Sequence, residues 1–249
     1  MPSDMGRGFW RFFDDFETAT IGTTSVTTGY RWASSADAGD TAFAPSAVAG
    51  VGTAARATTA ATDANMVELA WALLPFRAQD GEMHMEARVK IDVITNVRLV
   101  VGFSDDSSED TNNPPITISG TTPTTNASTA ACWVFDTDQT TDNWHVFWVD
   151  DDTNSLQTIG TSSTGDSQAN VGIAPVAATY ETLGVHIYDA GSGNQTRMEF
   201  SRNGRVYKTI VSGIDRDALM TVGVWMQNAS ATVHIVDVDY IDVWGSRVA

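Results

Sequence analysis

The chain has 249 residues, enough for one large domain or two small ones, and 42% of them are hydrophobic, with eight Trp and ten Phe. That many large apolar side chains exclude a disordered chain, because folding can bury them. The 31 acidic residues against 14 basic ones give a net charge of -17, which excludes the cationic surface that a phosphate backbone or an anionic membrane attracts.

No nucleic-acid or membrane partner is therefore expected. No window approaches the roughly 20 apolar residues of a membrane span. The opening stretch from Met1 to Phe16 lacks the apolar core of an export signal, so synthesis in a cytoplasm is expected. Cys132 is the lone cysteine and excludes an intrachain disulfide; its apolar run, Ala131-Cys132-Trp133-Val134-Phe135, reads as a buried strand.

In chain order, residues 34–62 are rich in Ala, Thr, Ser and Gly and read as a long loop. Residues 64–72 suit a short helix or a strand equally. The strongest signal is residues 82–93, where polar side chains hold every even position and apolar ones every odd position; this predicts a strand with one buried and one wet face. A polar break at Thr95-Asn96 leads to a second strand over 98–103. Residues 104–129 read as another loop. Strands follow at 132–136 and 144–150, the second with Trp144, Val146 and Trp148 on one face and His145, Phe147 and Val149 on the other, so both faces look covered.

A third loop is expected over 150–172, then a strand marked by Leu183, Val185 and Ile187. Asn203-Gly204 supplies the two positive φ angles of a type I′ hairpin. The remaining strands lie at 221–227 and 232–244, and the alternation of the second changes phase near Ile235-Val236, as a bulge would require. No sustained helical stripe occurs. The fold class predicted is all-β, a two-sheet antiparallel sandwich, in a single domain over 1–249.

Phe12-Phe13-Asp14-Asp15-Phe16, Met85-Glu86-Ala87-Arg88-Val89-Lys90, the hairpin at Phe200 to Val206, and Val238-Asp239-Tyr240-Ile241-Asp242-Val243-Trp244 occur in an order that resembles the concanavalin A-like lectin/glucanase superfamily. The resemblance implies a jelly roll whose first and last strands lie close together. More narrowly, Val101-Gly102-Phe103, Trp133 to Asp138, Asp142-Asn143-Trp144, Asp239 to Ile241 and Arg247 are similar to virion proteins of tailed bacteriophages. This implies a non-enzymatic capsid decoration or accessory protein, localised to the virion. Its implied partners are the major capsid protein or other virion proteins, and it implies a homo-oligomer such as a trimer.

The superfamily's laminarinase-like members carry Glu-x-Asp-x-x-Glu on one strand, and this spacing is absent here. Glu82, His84 and Glu86 come nearest, sharing one strand face, but that face continues through Arg88 and Lys90 as ordinary solvated surface. No enzymatic activity is expected. Two acidic clusters carry the oxygen ligands that calcium takes, with Asp105, Asp106 and Asp110 in one and Asp150 and Asp152 in the other; neither matches an EF-hand, and both also read as solvated loop charge. No cofactor is expected beyond that ion. The alternative to the virion role is a carbohydrate-binding module, lectin-like or receptor-binding, with Trp133, Trp144 and Trp148 as stacking candidates, although a core role suits them better. A glycoside hydrolase using Glu82 and Glu86 is the third reading.

Overall fold

The alternation over residues 82–93 becomes strand β7 (Met83–Ile91), with Met83, Met85, Ala87, Val89 and Ile91 buried and His84, Glu86, Arg88 and Lys90 half-exposed. The computed structural model describes residues 8–18, 21–22, 31–72, 75–106, 113–150, 168–190, 196–211 and 213–246. Within these, β7 lies at the centre of a front sheet. Beside it on one side run β14 (Glu181–Asp189), β15 (Thr196–Arg202) and β16 (Arg205–Ile210). On the other side runs β18 (Ile235–Ser246), followed by β5 (Gly52–Thr58) and β4 (Thr41–Val48). β1 (Phe9–Asp14) pairs with the second half of β18, from Phe9 opposite Ser246 to Asp14 opposite Ile241. The early and late strands therefore lie together.

The back sheet has the order β13 (Gln168–Asn170), β12 (His145–Val149), β11 (Ala130–Asp136), β8 (Val97–Ser104), β17 (Thr221–Asn228), β6 (Met66–Trp71), β3 (Trp32–Ala36) and β2 (Ile21–Gly22). Among the described residues every strand pair is antiparallel except β2 with β3. The core fills the space between the sheets. Met83, Met85 and Val185 come from the front sheet, and Leu99, Trp133 and Val224 from the back. Each such side chain contributes roughly 1.5–3 kcal/mol by leaving water.

The sandwich is all-β as expected, and residues 64–72 resolve as a strand. Asn203 and Gly204 have φ of 50° and 75° and turn β15 into β16 as the dipeptide predicts. The phase change in β18 falls between Val238 and Tyr240, three residues beyond the expected place. Val236 and Val238 reach the core before it, Ile241 and Val243 after it.

The predicted loops need correction. Residues 34–62 contain β4 and β5. Ala54, Ala55 and Ala57 are fully buried, so these strands pack through small side chains that carry little hydrophobic pattern. Residues 104–129 contain a hairpin of β9 (Ile116–Ser119) and β10 (Thr122–Thr125), turned at Gly120 with φ of 61°. The third expected loop ends in β13, and residues 151–167 of it lie outside the described residues.

Candidate functional site

A two-sheet sandwich has two outer faces, and here they differ. The β9–β10 hairpin lies over the back sheet, where Ile116 and Ile118 form a second apolar cluster with Val100, Cys132, Phe147 and Trp225. Asp136 fastens the hairpin: its fully buried carboxylate accepts the Ile118 N–H at 2.7 Å and the Arg98 Nε–H at 3.0 Å. Burial pushes the Asp136 carboxyl upward against the pull of Arg98. This side is closed, which buries Cys132 and pushes its thiol up.

The outer face of the front sheet is half-open and bears rings and charges. Strand register places Glu199, His186, His84 and Trp244 in one row across β15, β14, β7 and β18. His84 stacks on Trp244 with centroids 4.7 Å apart and planes at 24°. His186 meets His84 edge-on at 5.3 Å, Trp244 at 5.0 Å and Tyr188 at 3.9 Å. Gly184 keeps the neighbouring row low, since a Cβ there would stand 2.5 Å from Ser201 Oγ. His186 Nε2 lies 3.2 Å from Glu82 Oε2. Burial brings the His84 imidazole down to about 4, with His186 adding to the fall, and its Nδ1 has no hydrogen-bond partner. Burial also lowers His186, against the pull of Glu82. Both rings are therefore neutral near neutral pH.

Charge on this face is divided. Asp237 is buried and paired with Arg56 at 2.6 Å and Lys90 at 2.8 Å; Asp239 is paired with Arg88; Asp242 is paired with Arg11 at 2.7 Å. Arg88 and Lys90 also lie over the Tyr180 ring at 4.6 and 4.7 Å. Around the His84–Trp244 stack Glu82, Glu86 and Glu199 have neutral partners instead. The Tyr240 hydroxyl donates to Glu86 Oε1 at 2.7 Å, and burial, together with a hydrogen bond to Glu199, pushes the Tyr188 phenol up to about 12. Among the described residues, Glu82, Glu86 and Glu199 are ion-paired with no Lys or Arg.

Two clefts flank the row. The larger, about 520 Å³, opens at the end of the sandwich and is walled by Trp10, Phe12, Trp71 and Phe76, with Arg77 and Glu82 among its polar residues. Trp10 stacks on Phe76 at 5.4 Å, and Phe12 tilts on Trp71 at 5.2 Å. Gly245 makes room for this wall, since a Cβ there would lie 2.6 Å from Trp10 Cζ2 and 2.2 Å from the Glu82 carbonyl oxygen. The smaller cleft, about 350 Å³, is lined by Tyr188, Asp189, Arg197 and Glu199. Glu82 belongs to the larger cleft and touches His186, and Tyr188 belongs to the smaller one and touches His186. The imidazole thus joins the two.

Of the predicted sugar-stacking residues, Trp133 and Trp144 are core side chains, 0% and 1% exposed. Trp133 Nε1 donates to the Gly184 carbonyl at 3.0 Å and Trp144 Nε1 to Glu181 at 2.8 Å, so neither ring reaches solvent. Trp148 packs half-buried against the same core. Asp105 and Asp106 follow β8, and Asp150 Oδ1 accepts the Asp215 N–H at 2.6 Å. Asp110 and Asp152 lie outside the described residues. No cluster suited to a metal ion occurs among the described residues. Glu82, His84 and Glu86 share a face as their spacing predicts, and the fold adds His186, Tyr188, Glu199 and Trp244 to them. The aromatic cleft was the part sequence reasoning missed, although Phe9, Trp10, Phe12 and Phe13 in one short stretch signal it.

No protein-family model matches the chain, and no curated protein sequence matches it. Solved structures do. A protein of unknown function from Shewanella oneidensis MR-1 is similar at TM-score 0.57 and 10% identity, covering 99% of this chain and 90% of its own. The Emp47p carbohydrate recognition domain is similar at TM-score 0.55 and 12% identity, covering 97% and 98%. Peanut lectin is similar at TM-score 0.54 and 10% identity, covering 97% and 99%. At such identities the likeness is one of fold: a concanavalin A-like jelly roll.

Proposed function

We propose that this protein binds carbohydrate on the open face of its front sheet and in the adjoining aromatic cleft. The observation that carries this reading is the row of rings, Trp244, His84 and His186, with Tyr188 beside it, set among carboxylates and leading into a cleft walled by four more rings. With the rings packed on one another, their outward edges form an apolar surface for the C–H groups of a sugar, and the carboxylates beside them accept hydroxyl hydrogen bonds. The lectin-like neighbours support the reading at the level of fold.

The role is binding without hydrolysis. Glu82 and Glu86 are four residues apart, about 13 Å along an extended strand, whereas glycosidase carboxylate pairs stand roughly 5–9.5 Å apart. The shell-decoration role expected from the phage resemblance rests on its short motifs alone. A receptor-binding virion component would reconcile those motifs with this site.

The test is a glycan array probed with the full chain and with Trp244→Ala, with and without calcium. Binding that disappears in a folded Trp244→Ala variant is the expected result. An array with no bound glycan under either condition, or binding indifferent to Trp244, refutes the proposal.

A further inference from the structure

We propose that the ligand is a cationic glycan, a chain of amino sugars whose protonated amines meet Glu82, Glu86 and Glu199. The inference rests on the carbohydrate-binding reading above and names its ligand class. The same sheet face neutralises Asp237, Asp239 and Asp242 with Arg56, Lys90, Arg88 and Arg11. Around the ring row it provides only neutral partners: the His186 imidazole, the Tyr240 hydroxyl and the Tyr188 phenol. Three carboxylates are thus held in place by hydrogen bonds from neutral groups.

The remaining bases nearby are committed elsewhere or stand at the rim: Arg77, in the larger cleft with Glu82, is bound to Asp80 at 2.9 Å. Arg11 is committed to Asp242 and adds to Glu86 only at longer range. Arg197 stands on the exposed rim of the smaller cleft. A uronic-acid chain would meet three like charges here, and such repulsion is an effective means of rejecting a ligand. An amine instead gains charge-assisted hydrogen bonds to the carboxylates.

The aromatic wall already holds one cation. The Arg31 guanidinium lies 5.1 Å from the centre of Phe12 and 5.6 Å from that of Trp71. From β15 to β18 the row crosses three strand spacings, about 14 Å, which is room for a chain of roughly three sugar units. Glu199 stands at one end of that row, and Glu82 and Glu86 flank its His84 position on either side along the β7 direction, so amines of one bound chain meet a carboxylate at the row's end and one on each side of it.

The experiment is calorimetric titration of the full chain, in mildly acidic buffer, with glucosamine oligomers, their N-acetylated counterparts, cello-oligomers and oligouronates of equal length. The amine oligomer should bind about tenfold more tightly than the acetylated one, and should lose that advantage in high salt and in Glu82→Gln/Glu86→Gln/Glu199→Gln. Glu199→Gln alone, at the rim, serves if the triple variant is unfolded by circular dichroism. Equal binding of acetylated or neutral oligomers, or preference for oligouronate, overturns the cationic ligand while leaving carbohydrate binding intact. An amine preference that survives the Gln variants but fades in Asp63→Asn/Asp142→Asn, two exposed acids outside the face, reduces it to general charge attraction and overturns it equally. No binding of any oligomer, with a blank array, refutes carbohydrate binding itself.

Discussion

Acid should loosen this fold through His84 well before it reaches the carboxylates. The ring is packed on Trp244, meets His186 edge-on and leaves Nδ1 unpartnered, and it titrates at about 4 instead of the ordinary 6.5. The folded state therefore binds this proton less readily than the unfolded chain. The stability tied to the neutral ring is complete above pH 6.5 and is lost as pH falls toward 4. A displacement of that size is worth about 3 kcal/mol. His186 is lowered as well and loses stability in the same direction, with Glu82 opposing the loss. The nearby Asp242, paired with Arg11, favours the protonated His84 without reversing the sign. The assay is urea denaturation across this range for the wild type and for His84→Phe, which keeps a ring on Trp244 and carries no proton. Most of the pH dependence between 6.5 and 4 should be absent from the variant, and the His84 resonances should titrate near 4. Identical slopes in both proteins, or a midpoint near 6.5, would refute the reasoning.

Other substitutions test the scaffold. Arg202→Met leaves the buried Glu181 carboxylate with the Trp144 N–H and no cation, which should cost about 3 kcal/mol in denaturant unfolding. Gly245→Ala forces a methyl against the Glu82 carbonyl and Trp10, and should destabilise by about 1–3 kcal/mol with a matching fall in Tm. Arg56 and Lys90 hold the Asp237 carboxyl below its ordinary 3.8 despite its burial. Its contribution is present above that value and lost as pH falls further, so Asp237→Asn should flatten the acid limb of a stability curve below about pH 4. Asp136→Ala should release the β9–β10 hairpin, read as faster hydrogen exchange at the Ile118 amide with the front sheet unchanged.

Local patterns made β7 and the Asn203-Gly204 turn legible, because period and φ are properties of neighbouring residues. β4 and β5 were not legible. Their inward residues are mainly alanines, with Phe43 and Val48, and alanine alternating with threonine looks like linker composition. The Trp residues posed a different problem. Trp133 sits on β11 and Trp144 immediately precedes β12, in runs with large apolar residues on both faces, and the hairpin over the back sheet covers the second face. In the site, Glu82, His84 and Glu86 could be placed on one face from their spacing. Their neighbours could not, since His186 and Trp244 arrive through registers between strands about a hundred residues or more away in sequence.

β18 joins β7, β5 and β1, and the ion pairs along it link residues 151, 181 and 231 positions apart in the chain. Pairings that distant require large loops to close before any contact rewards them, so they favour slow folding. A chain that has made its hairpins but not docked β18 would present the unpaired edge of β7 to other chains. The kinetics of this protein, and its tendency to aggregate while refolding, should therefore follow the docking of one strand. Mutations on β18 that leave the native state nearly unchanged can still govern how much of the protein reaches it.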